Sequence, residues 1–190
     1  MSSLNEYGTV KDVAFYGMVF RIFNLSLTPI YGLMRALQPT VGINFGAEKY
    51  ERVISSFKIF AIAALIIMLP LWLITIVFPT SIFNLMLPGK EFLQSDITNF
   101  RIFMTLAPFL PVVFMAMTFW PAIKKPKPAG IIGIARQAFL YIPLMIILPK
   151  YFGISWIYKG SFLIDISLSI LIVFLISKEF KGLRQLETKK

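Results

Sequence analysis

Asp165 is the one acidic residue deep inside any of the long apolar stretches of this chain, in a run from about Ser161 to Ile176 that also holds Ser167. An isolated carboxylate in hydrocarbon is costly, so the group must be protonated, paired or hydrated. Two roles follow: a carboxyl that exchanges a proton as its surroundings alternate, or a structural carboxylate held by hydrogen bonds. Arg136, followed by Gln137 in the preceding apolar stretch, is the obvious partner by charge. The two stretches run in opposite directions, and each residue stands in the first part of its own. Arg136 is therefore expected near one membrane face and Asp165 near the other, with Arg136 snorkelling or bonding to backbone carbonyls rather than reaching the carboxylate.

The first apolar stretch, from about Val13 to about Phe45, is interrupted by Arg21, Asn24, Thr28, Arg35 and Gln38. Such a polar load is unfavourable on a helix facing lipid all round, which predicts that it lines a protein-enclosed or water-filled space. Arg21 and Asn24, in the outer half, either contact a substrate or pair with groups opposite. Gln38 and Asn44 descend to the level expected for Arg136, so the three together predict a polar cluster at a gate. Pro39 perturbs the helix just after Gln38, while Gly42 and Gly46, four apart, let another backbone approach one face.

The elements that must position these residues are membrane spans. No charge occurs between Ile59 and Gly89 or between Ile102 and Ile123, and each run is long enough to cross roughly 30 Å of hydrocarbon as a helix. The expected spans are about Val13–Phe45, Phe57–Phe78, Ile102–Trp120, Ala129–Leu148 and Ser161–Ile176. A soluble chain of 190 residues with 57% hydrophobic content cannot hide five such helices from water. The fold class is therefore an all-α integral membrane protein of five transmembrane helices. Its expected organisation is an extracytoplasmic segment over 1–12, a helical domain over 13–177 and a cytoplasmic tail over 178–190. Pro70 lies in the second span. Pro108 and Pro111 in the third and Pro143 in the fourth remove backbone donors and should bend or open their helices. Asn84, Trp120, Trp156 and Tyr158 fall near span ends, where tryptophan and tyrosine usually anchor in the interface.

The formal net charge is +10, but the basic residues gather at span ends, which accounts for them without nucleic acid. Lysines and arginines number twelve over Asn44–Lys58, Lys124–Arg136 and Lys178–Lys190, against five in the N-terminal segment, Pro79–Arg101 and Lys150–Lys159. That asymmetry predicts a cytoplasmic C-terminus and an external N-terminus in the plasma membrane. The run Lys124, Lys125, Lys127 is short and interrupted by prolines, a weak signal for specific lipid recognition. Cysteine and histidine are absent, which excludes disulfides, thiol chemistry and the usual zinc or haem ligands; no cofactor is expected, and any bound cation would need oxygen ligands. The polar N-terminus lacks the basic start and apolar core of a signal peptide and reads as a loop or a truncation point.

Gln38-Pro39, Gly42, Asn44 and Gly46-Ala47, followed by the charged turn Glu48–Arg52, resemble the close of the second helix of a lobe in the multidrug and toxin extrusion (MATE) family of antiporters. Ala135-Arg136-Gln137, Tyr141-Ile142-Pro143, Ile147-Leu148-Pro149 and Phe152-Gly153 are similar to the penultimate helix of its bacterial multidrug-exporter branch. Asp165 with Ser167 and Ser169 looks like the final helix. The resemblance covers essentially the whole chain and implies the last five helices of about twelve, which form two six-helix lobes around a substrate cavity. It therefore implies a missing N-terminal lobe, in this polypeptide or a separate one.

The resemblance further implies export of amphipathic or cationic drugs in exchange for H+ or Na+, with phenylalanine, methionine and leucine supplying an adaptable apolar surface. Asp165, Arg21, Asn24, Gln38, Asn44, Arg136 and Gln137 are the candidate substrate or ion contacts; Pro39, Gly42, Gly46, Pro108, Pro111 and Pro143 are the candidate packing or gating positions. Nothing points to an enzyme. The alternatives are a lipid-linked oligosaccharide flippase of the same superfamily and a non-transporting membrane subunit, and a single lobe is expected to be inactive alone.

Overall fold

Long apolar runs with proline at their turns fold here into antiparallel helices. The computed structural model describes residues 10–89, 91–153 and 155–188. Helix α1 spans Val10–Gly46 and α2 spans Tyr50–Val77. A short α3 covers Pro79–Met86, and α4 covers Gln94–Met104. A 3₁₀ turn over Ala107–Phe109 joins α4 to α5, Leu110–Ala122. Helix α6, Pro126–Ile134, passes through a π segment over Ala135–Tyr141 into α7, Ile142–Phe152. Helix α8 runs from Ser155 to Thr188.

Five of the resulting helical stretches are long and apolar enough to cross a membrane: Val13–Gly46, Tyr50–Val77, Gln94–Ala122, Pro126–Phe152 and Trp156–Thr188. Each begins or ends beyond the bounds expected from sequence. The fourth starts at Pro126 because Pro126 and Pro128 sit in a first helical turn, whose N–H groups lack intrahelical partners anyway. The fifth continues past Ile176, so residues 178–188 are helical. Residues 1–9, most of the expected N-terminal segment, lie outside the described residues.

The prolines behave differently according to place. Pro108 and Pro111 mark the break in the third span, where the α-helical ladder gives way to a turn at Thr105-Leu106 and then the 3₁₀ segment, as their missing donors require. Pro39, expected to perturb α1, does not interrupt it; α1 also runs through Pro29. Both prolines lie on the exposed side of that helix.

Helix α1 packs chiefly on α2 and α5, while α8 packs on α4, α5, α2 and α7. The larger core includes Leu37, Val41, Val53, Phe57, Met115, Phe119, Trp120 and Ile172. Phe57, Phe119 and Phe180 meet edge to face with centroids 5.1–5.7 Å apart, the favourable arrangement for aromatic quadrupoles. A second cluster at the opposite end gathers Phe15, Phe83, Phe100, Phe103 and Tyr158. Trp120 and Tyr158, expected as interfacial anchors, are instead core residues, 1% and 2% exposed. Their rings fill gaps between helices, and proximity to a span end in sequence did not distinguish a ring turned inward from one turned toward headgroups. Trp156 keeps a partly exposed position with Lys159 5.3 Å from its ring, and Asn84 is exposed.

The turns at the end of α1 and of α5 share a design. Lys49 N–H donates to the Asn44 carbonyl and Glu48 N–H to that of Phe45. Lys125 N–H likewise donates to Trp120 and Lys124 N–H to Pro121. These are Schellman closures, in which Glu48 (φ 55°) and Lys124 (φ 60°) occupy the left-handed position that glycine usually takes. The last turns of α8 bind the same end: Lys125 pairs with Glu179 at 2.5 Å, and the Tyr50 N–H donates to the Glu187 carboxylate at 3.0 Å.

Candidate functional site

Arg136 and Asp165 form a two-pronged ion pair. Arg136 Nε donates to Asp165 Oδ1 at 2.6 Å and Nη2 donates to Oδ2 at 3.0 Å. The carboxylate is 3% exposed and the arginine side chain 37%. This overturns the expectation that the two stand at different levels with Arg136 snorkelling away. The physical reason lies in the helix starts. With α6 beginning at Pro126 and α8 at Ser155, each residue stands ten positions along its helix, about 15 Å at the usual rise. Both thus lie well inside their spans, and the antiparallel helices bring them together.

Local backbone helps to present the pair. In the π segment the Ile142 N–H donates to the Gln137 carbonyl, five residues back. The wider turn brings Tyr141 round to the face of Arg136, whose guanidinium carbon lies 4.9 Å from the ring centroid, within the range of a cation–π contact. Pro143 follows at the start of α7, where its missing donor suits a change of helical register. On α8, the Ser169 hydroxyl donates to the Asp165 carbonyl at 2.7 Å and Ser161 to that of Ile157 at 2.8 Å, so the buried hydroxyls are satisfied within their own helix. Gln137 is exposed on the other side of the segment.

A cavity of about 130 Å³ opens beside the pair, between α5, the α6–π segment and α8. Its walls include Val113, Phe114, Met117, Gly133 and Leu168, so the ion pair is the polar part of an apolar chamber. A Cβ on Gly133 would stand 3.7 Å from the Met117 methyl. Sequence reasoning missed Tyr141 as a partner of Arg136, because a spacing of five aligns side chains only in a π segment. It also missed the chamber walls, for which apolar residue types carry no distinguishing signal.

The expected gate cluster does not form. The Asn44 amide donates to the Thr40 carbonyl of its own helix at 2.8 Å, Gln38 is exposed, and Arg136 is committed to Asp165. A span starting at Ala129 would put Arg136 at their level; the actual start at Pro126 carries it deeper. The two glycines of α1 also separate in role. A Cβ on Gly42 would stand 3.8 Å from the Ala122 carbonyl, whereas none of the neighbouring elements lies within 4 Å of one on Gly46. Gly42 is thus a packing position and Gly46 an exposed one. Closer approach occurs at Gly160, where a Cβ would fall 2.5 Å from Leu148 Cδ1.

On α1, the remaining candidates make a stripe. Arg21, Asn24, Thr28, Tyr31, Arg35 and Gln38 recur at alternating intervals of three and four, which places them on one helical face. All but the half-buried Asn24 are exposed. Asn24 Nδ2 donates to Phe20 O and Thr28 Oγ1 to Asn24 O, while Arg21 and Arg35 have no hydrogen bond or ion pair among the described residues. A guanidinium in the centre of a bilayer costs about 2.5–3.5 kcal/mol by insertion measurements. Tyr31 also meets Phe114 edge to face at 5.7 Å, so the stripe passes beside the chamber.

Five spans, a buried paired carboxylate and an exposed polar helix face define a multi-pass membrane protein; no group of three or more potential metal ligands occurs among the described residues. The chain belongs to the MatE family, whose model matches residues 1–147. No curated protein matches the chain. Among solved structures it is similar to the MATE multidrug transporter DinF-BH, captured in a ligand complex, at 28% identity and TM-score 0.77, over 86% of this chain and 36% of that one. It has the fold of a multidrug resistance MATE family transporter of the MOP superfamily in outward-facing conformation (17% identity, TM-score 0.84, 97% and 41% covered). The inward-facing conformation of such a transporter matches at 18% identity and TM-score 0.79, with 91% and 40% covered. The chain therefore spans about two fifths of the length of the transporters it matches.

Proposed function

We propose that this chain supplies the C-terminal portion, five helices of one lobe, of a secondary antiporter that exports amphipathic or cationic drugs in exchange for H+ or Na+. The observation that carries this reading is the exposed polar stripe of α1 in a fold otherwise suited to lipid. Guanidinium and amide groups on the exposed face of a membrane span call for an aqueous cavity or a second body opposite them. An N-terminal lobe, on this or another polypeptide, would provide that body, and alternating access would follow from rocking of the two lobes.

In this scheme the Lys49 and Lys124 turns and the end of α8 face the cytoplasm, as the excess of basic residues there favours; removing mid-span Arg136 from the count leaves eleven against five. Asp165 fastens the fourth span to the fifth through Arg136, and coupling through it would require the ion to displace the guanidinium. The test is drug efflux from proteoliposomes containing the chain together with its N-terminal lobe, driven by imposed proton or sodium gradients. Gradient-dependent efflux supports the reading; efflux that ignores both gradients, or none at all, overturns it. Retention of coupling in Asp165→Asn would assign ion exchange to the other lobe.

A further inference from the structure

Helix α8 is longer than a bilayer needs. Between Lys159 and Lys178 the only charge is Asp165, and the nineteen residues from one lysine to the other rise about 28 Å, close to the roughly 30 Å of hydrocarbon that a span must cross. Lys178 therefore marks the level of the headgroups, at the end of the bundle where the α5–α6 turn lies. There a cavity of about 280 Å³ opens between that turn and α8, lined by Trp120, Lys125, Pro128, Leu175, Lys178 and Gly182, with Glu179 on its wall. Leu175, Lys178, Glu179 and Gly182 recur at intervals of three and four and share one face of α8. Leu171, one turn before Leu175 on that face, is 45% exposed, so the apolar wall continues toward the membrane interior. A Cβ on Gly182 would meet no atom of a neighbouring element within 4 Å. Trp120 is 1% exposed, and its indole N–H has no acceptor among the described residues.

We propose that this groove holds an anionic glycerophospholipid, its phosphodiester against Lys178 and an acyl chain along Leu175 and Leu171. Sequence alone offers Lys124, Lys125 and Lys127 as a short run broken by prolines. The fold sets Lys178 and Lys181 of α8 beside that run, so that five lysines stand against one glutamate over residues 124–128 and 175–182. The glutamate, Glu179, is engaged by Lys125 at 2.5 Å, which leaves Lys178 as the principal charge for a phosphate, a role lysine fills as a point charge. Basic pockets between helices at a membrane face take such headgroups. The order of the wall, leucines toward the membrane interior and lysine at its edge, favours a lipid over a soluble phosphate. Helix α1 packs chiefly on α2 and α5, and α8 is not among its chief neighbours. The groove is therefore apart from the α1 stripe assigned to a second lobe, and the proposal does not depend on what the transporter carries.

The test is native mass spectrometry of the full chain in a mild detergent, titrated with phosphatidylglycerol or with phosphatidylcholine of identical acyl chains. The first phosphatidylglycerol is expected to bind at least fivefold tighter than phosphatidylcholine. Lys178→Gln should remove most of that preference, whereas Glu179→Gln, which releases Lys125, should strengthen it. Gly182→Phe keeps every charge but fills the groove, and should weaken phosphatidylglycerol at least fivefold. Lys150→Gln, at the opposite end of the fourth span, should change nothing. Helical circular dichroism equal to that of the parent shows that each variant is folded; Lys178 is exposed, so its variant keeps the test open if the bulkier one misfolds. Equal binding of the two lipids, or a loss in Lys150→Gln as large as in Lys178→Gln, overturns the proposal, as does indifference of a folded Gly182→Phe. Displacement of phosphatidylglycerol by glycerol 3-phosphate at a similar concentration overturns the choice of a lipid. Lipid binding and gradient-driven efflux are separate readouts, so failure here leaves the transporter reading standing.

Discussion

Arg136 and Asp165 meet through both carboxylate oxygens at 2.6 and 3.0 Å although they stand on antiparallel helices 29 residues apart in sequence. The pair ties the least buried of the five spans, the fourth, to α8. Removing one partner strands the other in an apolar chamber, whereas removing both leaves nothing unpaired. Asp165→Ala is expected to lower stability by about 3 kcal/mol, the low end for a buried pair, because Arg136 is partly exposed. Arg136→Met with Asp165→Leu should recover most of that loss. Thermal unfolding in detergent, followed by circular dichroism, measures both; a double variant no better than the single would remove the pairing argument.

At Gly160, the side chain of Leu148 occupies the space a Cβ would need. Gly160→Val should destabilise by about 1–3 kcal/mol through overpacking. Shortening the opposing side chain with Leu148→Ala in the same molecule should return part of it, and a double-mutant cycle on the unfolding midpoint reads the coupling.

The left-handed residue closing α5 gives a prediction of opposite sign. Lys124 holds φ 60°, which an L side chain adopts at a cost and glycine adopts freely. Lys124→Gly should raise stability by about 0.5–1 kcal/mol. Gly153, at φ 83° between α7 and α8, should respond in reverse, Gly153→Ala lowering the midpoint by a similar amount.

Orientation can be read chemically because the chain has no cysteine. On the proposed topology, Ala47→Cys in the turn after α1 resists a membrane-impermeant maleimide on intact cells and reacts once they are opened. Asn84→Cys, exposed on α3 at the opposite end, reacts from outside. The reciprocal labelling pattern would invert the orientation.

The number and order of spans were legible because uncharged runs such as Ile59–Gly89 leave no soluble alternative, and the family was legible in the Gln38–Arg52 pattern. Span limits were harder. Pro126 and Pro128 stop a helix that precedes them and start one that follows, and a linear reading weighs only the first effect. That error of three residues, with six more at the start of α8, moved Arg136 and Asp165 to opposite faces and hid their pairing. Gly160 was missed because close approach depends on which side chain stands opposite, here one twelve residues earlier on the neighbouring helix. Tyr141 was missed because its alignment with Arg136 depends on a departure from α-helical geometry that residue types alone did not announce.

The seven residues of the π segment hold one more position than a regular helix needs to cover the same length. Excising a single residue there, Ala138 for example, would let the helix wind uniformly from Pro126 to Phe152. It would also turn the guanidinium side of the fourth span relative to everything beyond Pro143. The surplus residue thus works as a spacer: it lets one continuous rod serve two rotational settings, one for the Arg136 half and another for the half that ends at Phe152.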